Sequence, residues 1–128
     1  MANVLIIEPD RILAGTYRQA LQTAGHEVIM CASAQSAIFA ADAVKPDVVI
    51  LELQLIEHSG IEFLYEFRSY TEWQDVPVVL LTNVPPTEFT QSGDILRQEL
   101  GVREYHYKPL TSLRSLLASV NQYVPATA

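Results

Sequence analysis

Cysteine, lysine and glycine are all scarce here: one cysteine (Cys31), two lysines (Lys45 and Lys108) and five glycines among 128 residues. A lone cysteine excludes an intramolecular disulfide and any paired-cysteine redox motif, which fits the reducing cytoplasm and leaves Cys31 as a small buried hydrophobe. Positive charge is short as well. Eight Lys and Arg face fifteen Asp and Glu, a net charge of -7, so no basic face is available to displace counterions from phosphates, and nucleic acid is not an expected partner. The same charge opposes docking on an anionic leaflet, and no apolar run nears the roughly 20 residues of a spanning helix, so no membrane contact is expected. Met-Ala-Asn provides no basic n-region and the apolar run behind it is too short for a secretory signal. His26, His58 and His106 lack the paired spacing of a metal ligand set.

What is present is a globular balance of 49% hydrophobic and 18% charged residues in a length suited to one domain. That domain is expected over 1–124, with 125–128 as a short tail. Short apolar runs alternate with stretches of helical period, the pattern of βα units that build a parallel sheet covered on both faces. Leu13, Tyr17, Ala20, Leu21 and Ala24 mark the inner face of a first helix that Asp10 caps and Gly25 stops. His26 to Cys31 reads as the second strand, and Ser33 caps a small-residue helix carrying Ala34, Ala37, Ile38 and Ala41. A third helix opens at Gly60, with Leu64 and Phe67 on one face, and Pro77 enters the fourth strand at an edge position that proline tolerates. Pro85-Pro86 and Gly93 predict a fourth helix that is late, short or broken. Leu113, Leu116, Leu117, Val120 and Val124 predict a last helix capped by Thr111 or Ser112.

Each apolar run ends in a polar group: Val4-Leu5-Ile6-Ile7 in Glu8, Val48-Val49-Ile50-Leu51 in Glu52, Val78-Val79-Leu80-Leu81 in Thr82, and the stretch through Tyr105 and Tyr107 in Lys108-Pro109. In open parallel sheets the chemistry sits at the carboxyl ends of the strands, so these four residues are candidates for one pocket. The set and its order resemble the receiver domain of two-component response regulators: Glu8-Pro9-Asp10 after the first strand, Lys45-Pro46-Asp47 before the third, Glu52-Leu53 after it, Gly60, Thr82, Tyr105 and Lys108-Pro109. The resemblance implies an α/β, flavodoxin-like, doubly wound sheet of five parallel strands in order 2-1-3-4-5 with five helices. It also implies a role in phosphorelay signalling, not in enzymatic turnover, with a sensor kinase or downstream effector as protein partner. Homodimerisation through the fourth and fifth helices is a further implication.

In that family a central aspartate takes a phosphoryl group with help from Mg²⁺ held by paired acids on the first strand, and a Thr hydroxyl and a Lys ammonium bind the phosphoryl oxygens. An aromatic on the fifth strand rotates as the loops reorder. By position the switch and anion-pairing residues are Thr82, Tyr105 and Lys108, and the acidic pocket is Glu8 with Asp10. Two departures fall on the chemistry: Glu52 stands at the phosphoacceptor position, and Pro9 replaces a metal-ligating acid. The extra methylene moves the carboxylate by about 1 Å, enough to lose roughly 10²-fold in rate, and Mg²⁺ demands near-ideal octahedral geometry. A metal set of Glu8, Asp10 and Glu52 is therefore weakened by Pro9, and no catalytic residue or cofactor is assigned. Ile56 replaces the family's usual proline, and about four extra residues separate Thr82 from Lys108 relative to the family's common spacing.

Glu52 carries two readings: a built-in mimic of the activated state reaching Thr82 and Lys108, or a vestigial acid neutralising Lys108. The expected function is a phosphorylation-independent protein-interaction module. Its rivals are a working phosphotransfer receiver using Glu52 or Asp10 with Mg²⁺, and a flavodoxin-like cofactor binder, against which the acidic, glycine-free loop Glu8-Pro9-Asp10-Arg11 argues. Trp73 and Phe89 are read as partner anchors or as buried aromatics under the connecting segments.

Overall fold

The computed structural model describes residues 2–124; the expected tail at 125–128 lies outside the described residues. Five parallel strands, β1 (Asn3–Ile7), β2 (Glu27–Cys31), β3 (Val48–Leu51), β4 (Val78–Thr82) and β5 (Val102–Tyr107), form one sheet in the order β2-β1-β3-β4-β5. Strand order reverses at β1, and the crevice at such a reversal is where ligands bind in open α/β sheets. Val48 to Leu51 are fully buried, as a strand covered on both faces requires.

Residues alternate between two cores along each inner strand. Leu5, Ile7, Val49, Leu51, Val78 and Leu80 pack under α2 (Ala34–Ala43) and α3 (Gly60–Ser69), while Val4, Ile6, Val48, Ile50, Val79 and Leu81 pack under α1 (Arg11–Thr23) and α4 (Leu113–Tyr123). The expected helical stripes are present with shifts at their margins. Ala14 joins Tyr17 and Leu21 in the core, whereas Ala24 is the exposed C-cap of α1. Ser119 is buried between Leu116 and Val120, and Leu113 is exposed. Asp10 caps α1 by accepting from the Ile12 and Leu13 amides at 3.0 and 3.1 Å. Ser33 and Ser59 each close a capping box, with Ser36 and Glu62 respectively.

The connection from β4 to β5 is irregular where a regular fourth helix would lie. Pro85 leads into a 3₁₀ turn (Pro86–Phe89), and a five-residue π-helix (Ile95–Glu99) follows, so the expected fourth helix is short and late. Pro77 stands just before β4, an interior strand, so the ladder loses no donor from within it. Cys31 is half-buried because β2 is an edge strand, and burial holds its thiol above the usual range against a bond to Ser36. Trp73 is buried against Phe67, ring centroids 5.0 Å apart, which makes it core and not an anchor.

Candidate functional site

Glu8 and Glu52 are the first residues beyond β1 and β3, and their amides continue the sheet ladder to the carbonyls of Cys31 and Ile7 at 2.9 and 3.0 Å. Their positions are therefore fixed by the sheet, not by loops. Thr82 ends β4 and Lys108 follows β5, so the four polar termini meet in one pocket, with Glu8, Glu52 and Thr82 buried. Lys108 Nζ lies 2.5 Å from Glu8 Oε1 and 2.8 Å from Glu52 Oε1. Two carboxylates thus share one ammonium. Glu8 Oε2 accepts the Asp10 amide at 3.0 Å, which ties the start of α1 to the pocket.

The Glu52 carboxylate is saturated. Oε1 accepts from Lys108 and, at 3.3 Å, from the Asn83 amide; Oε2 accepts the Thr82 hydroxyl in a short bond and the Gln54 amide at 3.1 Å. Four donors fill roughly the four lone-pair directions of a carboxylate. Burial pushes the Glu52 carboxyl upward, but the bonds from Lys108, Thr82 and Gln54 outweigh it and hold it below its ordinary value. Lys108 moves the opposite way: burial lowers it, and the bonds to Glu52 and Glu8 raise it above an ordinary lysine.

A line of hydrogen bonds leaves the pocket through Thr82. Its hydroxyl oxygen accepts the Val84 amide at 3.1 Å, and the Val84 carbonyl accepts the Tyr105 hydroxyl at 2.6 Å. Tyr105 is half-buried beside Phe89, ring centroids 5.9 Å apart. Burial, then the charges of Glu52 and Glu88, push its phenol up to about 12, so it stays a donor throughout the physiological range. Tyr107 makes no such link: its carbonyl accepts the Thr111 hydroxyl at 2.7 Å. His106 bonds Ser119 at 2.7 Å and His26 bonds Asn121 at 2.9 Å, both cross-links to α4 away from the pocket.

Asp10 is not brought in. Its carboxylate is exposed and engaged as the α1 cap, and Pro9 supplies no acid. A divalent cation would meet two carboxylates already bridged by an ammonium, and among the described residues no three His, Cys, Asp or Glu cluster around a metal position. Mg²⁺ binding there would require Glu8 and Glu52 to release Lys108, with Pro9 offering no further carboxylate.

Two contributors escape sequence reasoning. The Gln54 and Asn83 donors are backbone amides, which carry no side-chain signature. Gly60, already marked in the sequence as the opening of the third helix, has a steric reason to be glycine: a Cβ there would lie 2.8 Å from the Glu52 carbonyl oxygen and from Leu53 Cα, so α3 reaches the Glu52 loop only with glycine at its start.

The family described as response regulator receiver domain matches residues 4–121, and the chain belongs to it. Among curated proteins, the KDP operon transcriptional regulatory protein KdpE of Escherichia coli is 33% identical over 109 residues, covering 85% of this chain and 45% of that protein. The probable transcriptional regulatory protein TcrX of Mycobacterium tuberculosis is 37% identical over 80 residues and is covered over 33% of its length, so the chain spans less than half of either relative. The polar-differentiation response regulator DivK of Brucella ovis is 26% identical over 123 residues, 95% of each chain. Among solved structures, chemotaxis response regulator CheY4 of Vibrio cholerae superposes with a TM-score of 0.84 at 25% identity, over 97% of this chain and 99% of that one.

Proposed function

We propose that this receiver domain acts without phosphotransfer, as a protein-interaction module of two-component signalling in the cytoplasm, with the Glu52 carboxylate standing where an acceptor aspartate and its phosphoryl charge would act together. The observation that carries the reading is the saturation of Glu52 by Thr82, Lys108 and the Gln54 and Asn83 amides, with Tyr105 already tied to Val84. A vestigial acid neutralising Lys108 needs only the ammonium contact; the bonds to Thr82 and to the loop amides favour mimicry. One carboxylate brings a single charge where a phosphoryl group brings nearly two, so the arrangement is held by hydrogen bonds more than by charge.

Nucleophilic attack by Glu52 would break most of these bonds, and the proposed module has neither enzymatic turnover nor a required Mg²⁺. Asp10 is a poor alternative acceptor because its carboxylate caps α1. The partners are proteins, a sensor kinase or a downstream effector, reading the surface of β5 and its neighbours.

Amide hydrogen exchange tests the proposal. In Glu52→Ala the Asn83 and Val84 amides should exchange at least tenfold faster, while amides in β1 and β3 keep their relative protection. Unchanged exchange in the β4–β5 connection would break the link between Glu52 and Tyr105 and sink the reading.

A further inference from the structure

The two helical layers carry opposite charge. α1 and α4 hold three exposed arginines, Arg11, Arg18 and Arg114, and no acid. α2 and α3 hold exposed Asp42, Glu62 and Glu66, and their one cation, Arg68, is turned to the carbonyls of Trp73, Leu100 and Gly101. Between α2 and α3 lies a groove of about 630 Å³. Its rim on α3 is Glu62 and Glu66, spaced four apart and so on one helical face, with Tyr70 just past the helix end, and its other side is Ile38 and Phe39. Phe39 is 68% exposed, a large apolar group left in water.

The outward face of α1 has two features its own fold leaves unexplained. Ile12 is 82% exposed between Arg11 and Gly15. Gly15 sits mid-helix at a propensity cost, yet a Cβ at that position would meet nothing within 4 Å. Intramolecular packing therefore does not require the glycine; close approach by another surface would.

We infer that α1 of one copy docks into the α2–α3 groove of a second copy, Ile12 entering beside Phe39, Gly15 permitting close approach, and Arg11 and Arg18 facing Glu62 and Glu66. The contact joins two different faces, so it is heterologous and propagates head to tail instead of closing as a two-fold dimer. It is independent of the state of Glu52. The chain's net charge of -7 opposes association at long range, but at 0.15 M salt repulsion beyond about 8 Å is largely screened while contact pairs persist.

Sedimentation velocity on the 128-residue chain, up to millimolar concentration in 0.15 M salt, tests this with three surface variants. Wild type should show a weight-average mass that climbs past twice the monomer. Phe39→Glu destroys the groove and Ile12→Glu destroys the α1 face; each alone should stay monomeric, and an equimolar mixture should form a dimer and stop there. Gly15→Gln should raise the melting temperature, by better helix propensity, and yet weaken association at least tenfold. A wild type that remains monomeric overturns the inference. So does assembly in which the mixture of variants fails to restore a dimer, because that assigns the contact to a self-complementary face. Circular dichroism of each variant separates loss of contact from loss of fold.

Discussion

Replacing the Glu52 carboxylate by an amide of the same shape would leave Lys108 buried with Glu8 as its only anionic partner among the described residues. Removing one member of a buried pair destabilises by about 3–5 kcal/mol, and the retained Glu8 contact sets Glu52→Gln near the lower figure, about 3 kcal/mol in urea unfolding. The pH dependence follows from the directions of the shifts. Glu52 is raised by burial but lowered further by Lys108, Thr82 and Gln54, so its contribution is fully present above about 4.5 and is lost as pH falls through the folded value. Lys108, lowered by burial but raised further by its bonds to Glu52 and Glu8, contributes fully below about 10.5 and less as pH rises through its folded value. Neither group therefore gives stability a slope near neutrality, and the acid limb of Glu52→Gln should be shallower than that of wild type. Equal acid limbs would contradict the assigned bonds.

Arg68 links α3 to the segment before β5, donating to the carbonyls of Leu100 at 2.9 Å and Trp73 at 2.7 Å. Gly101 has φ +67°, a conformation that favours glycine, and its Cβ position lies 2.5 Å from an Arg68 guanidinium nitrogen, so an added methyl would also push that guanidinium away from its carbonyls. Gly101→Ala is expected to destabilise by more than about 1 kcal/mol in thermal unfolding; a neutral effect would mean that Arg68 does not brace β5. This connection was also the least legible in the sequence. Pro85-Pro86 and Gly93 announced a poor helix, but nothing in side-chain pattern specified a π-turn over Ile95–Glu99. Nor did the sequence announce the register shift between Val78 and Val79, where Val78 pairs with Val102 and Val79 with Glu104. That extra residue sets Tyr105 beside Leu80, toward the α2–α3 core, and His106 beside Leu81, under Ser119. The inner strands were readable because their period-two burial leaves few alternatives, and the strand-end residues came with them.

At the scale of the molecule, the four polar strand-end candidates Glu8, Glu52, Thr82 and Lys108 converge, while Asp10, the further acid proposed for the pocket, is spent on a helix cap. Side-chain identity and order made the pocket legible; the Gln54 and Asn83 amides and the reach of Glu52 to Thr82 depend on coordinates. With Lys108 already bridging the acids, added Mg²⁺ should leave the melting temperature unchanged, since only a ligand that binds the folded state raises it. A clear upward shift at millimolar Mg²⁺ would show that the acids can release Lys108. The most direct measurement is the intact mass after incubation with Mg²⁺ and acetyl phosphate, beside a conventional receiver as positive control. An unchanged mass is predicted, because the Glu52 carboxylate is fully bonded and Asp10 is a cap; an added, hydroxylamine-labile phosphoryl mass mapping to Glu52 or Asp10 would contradict it.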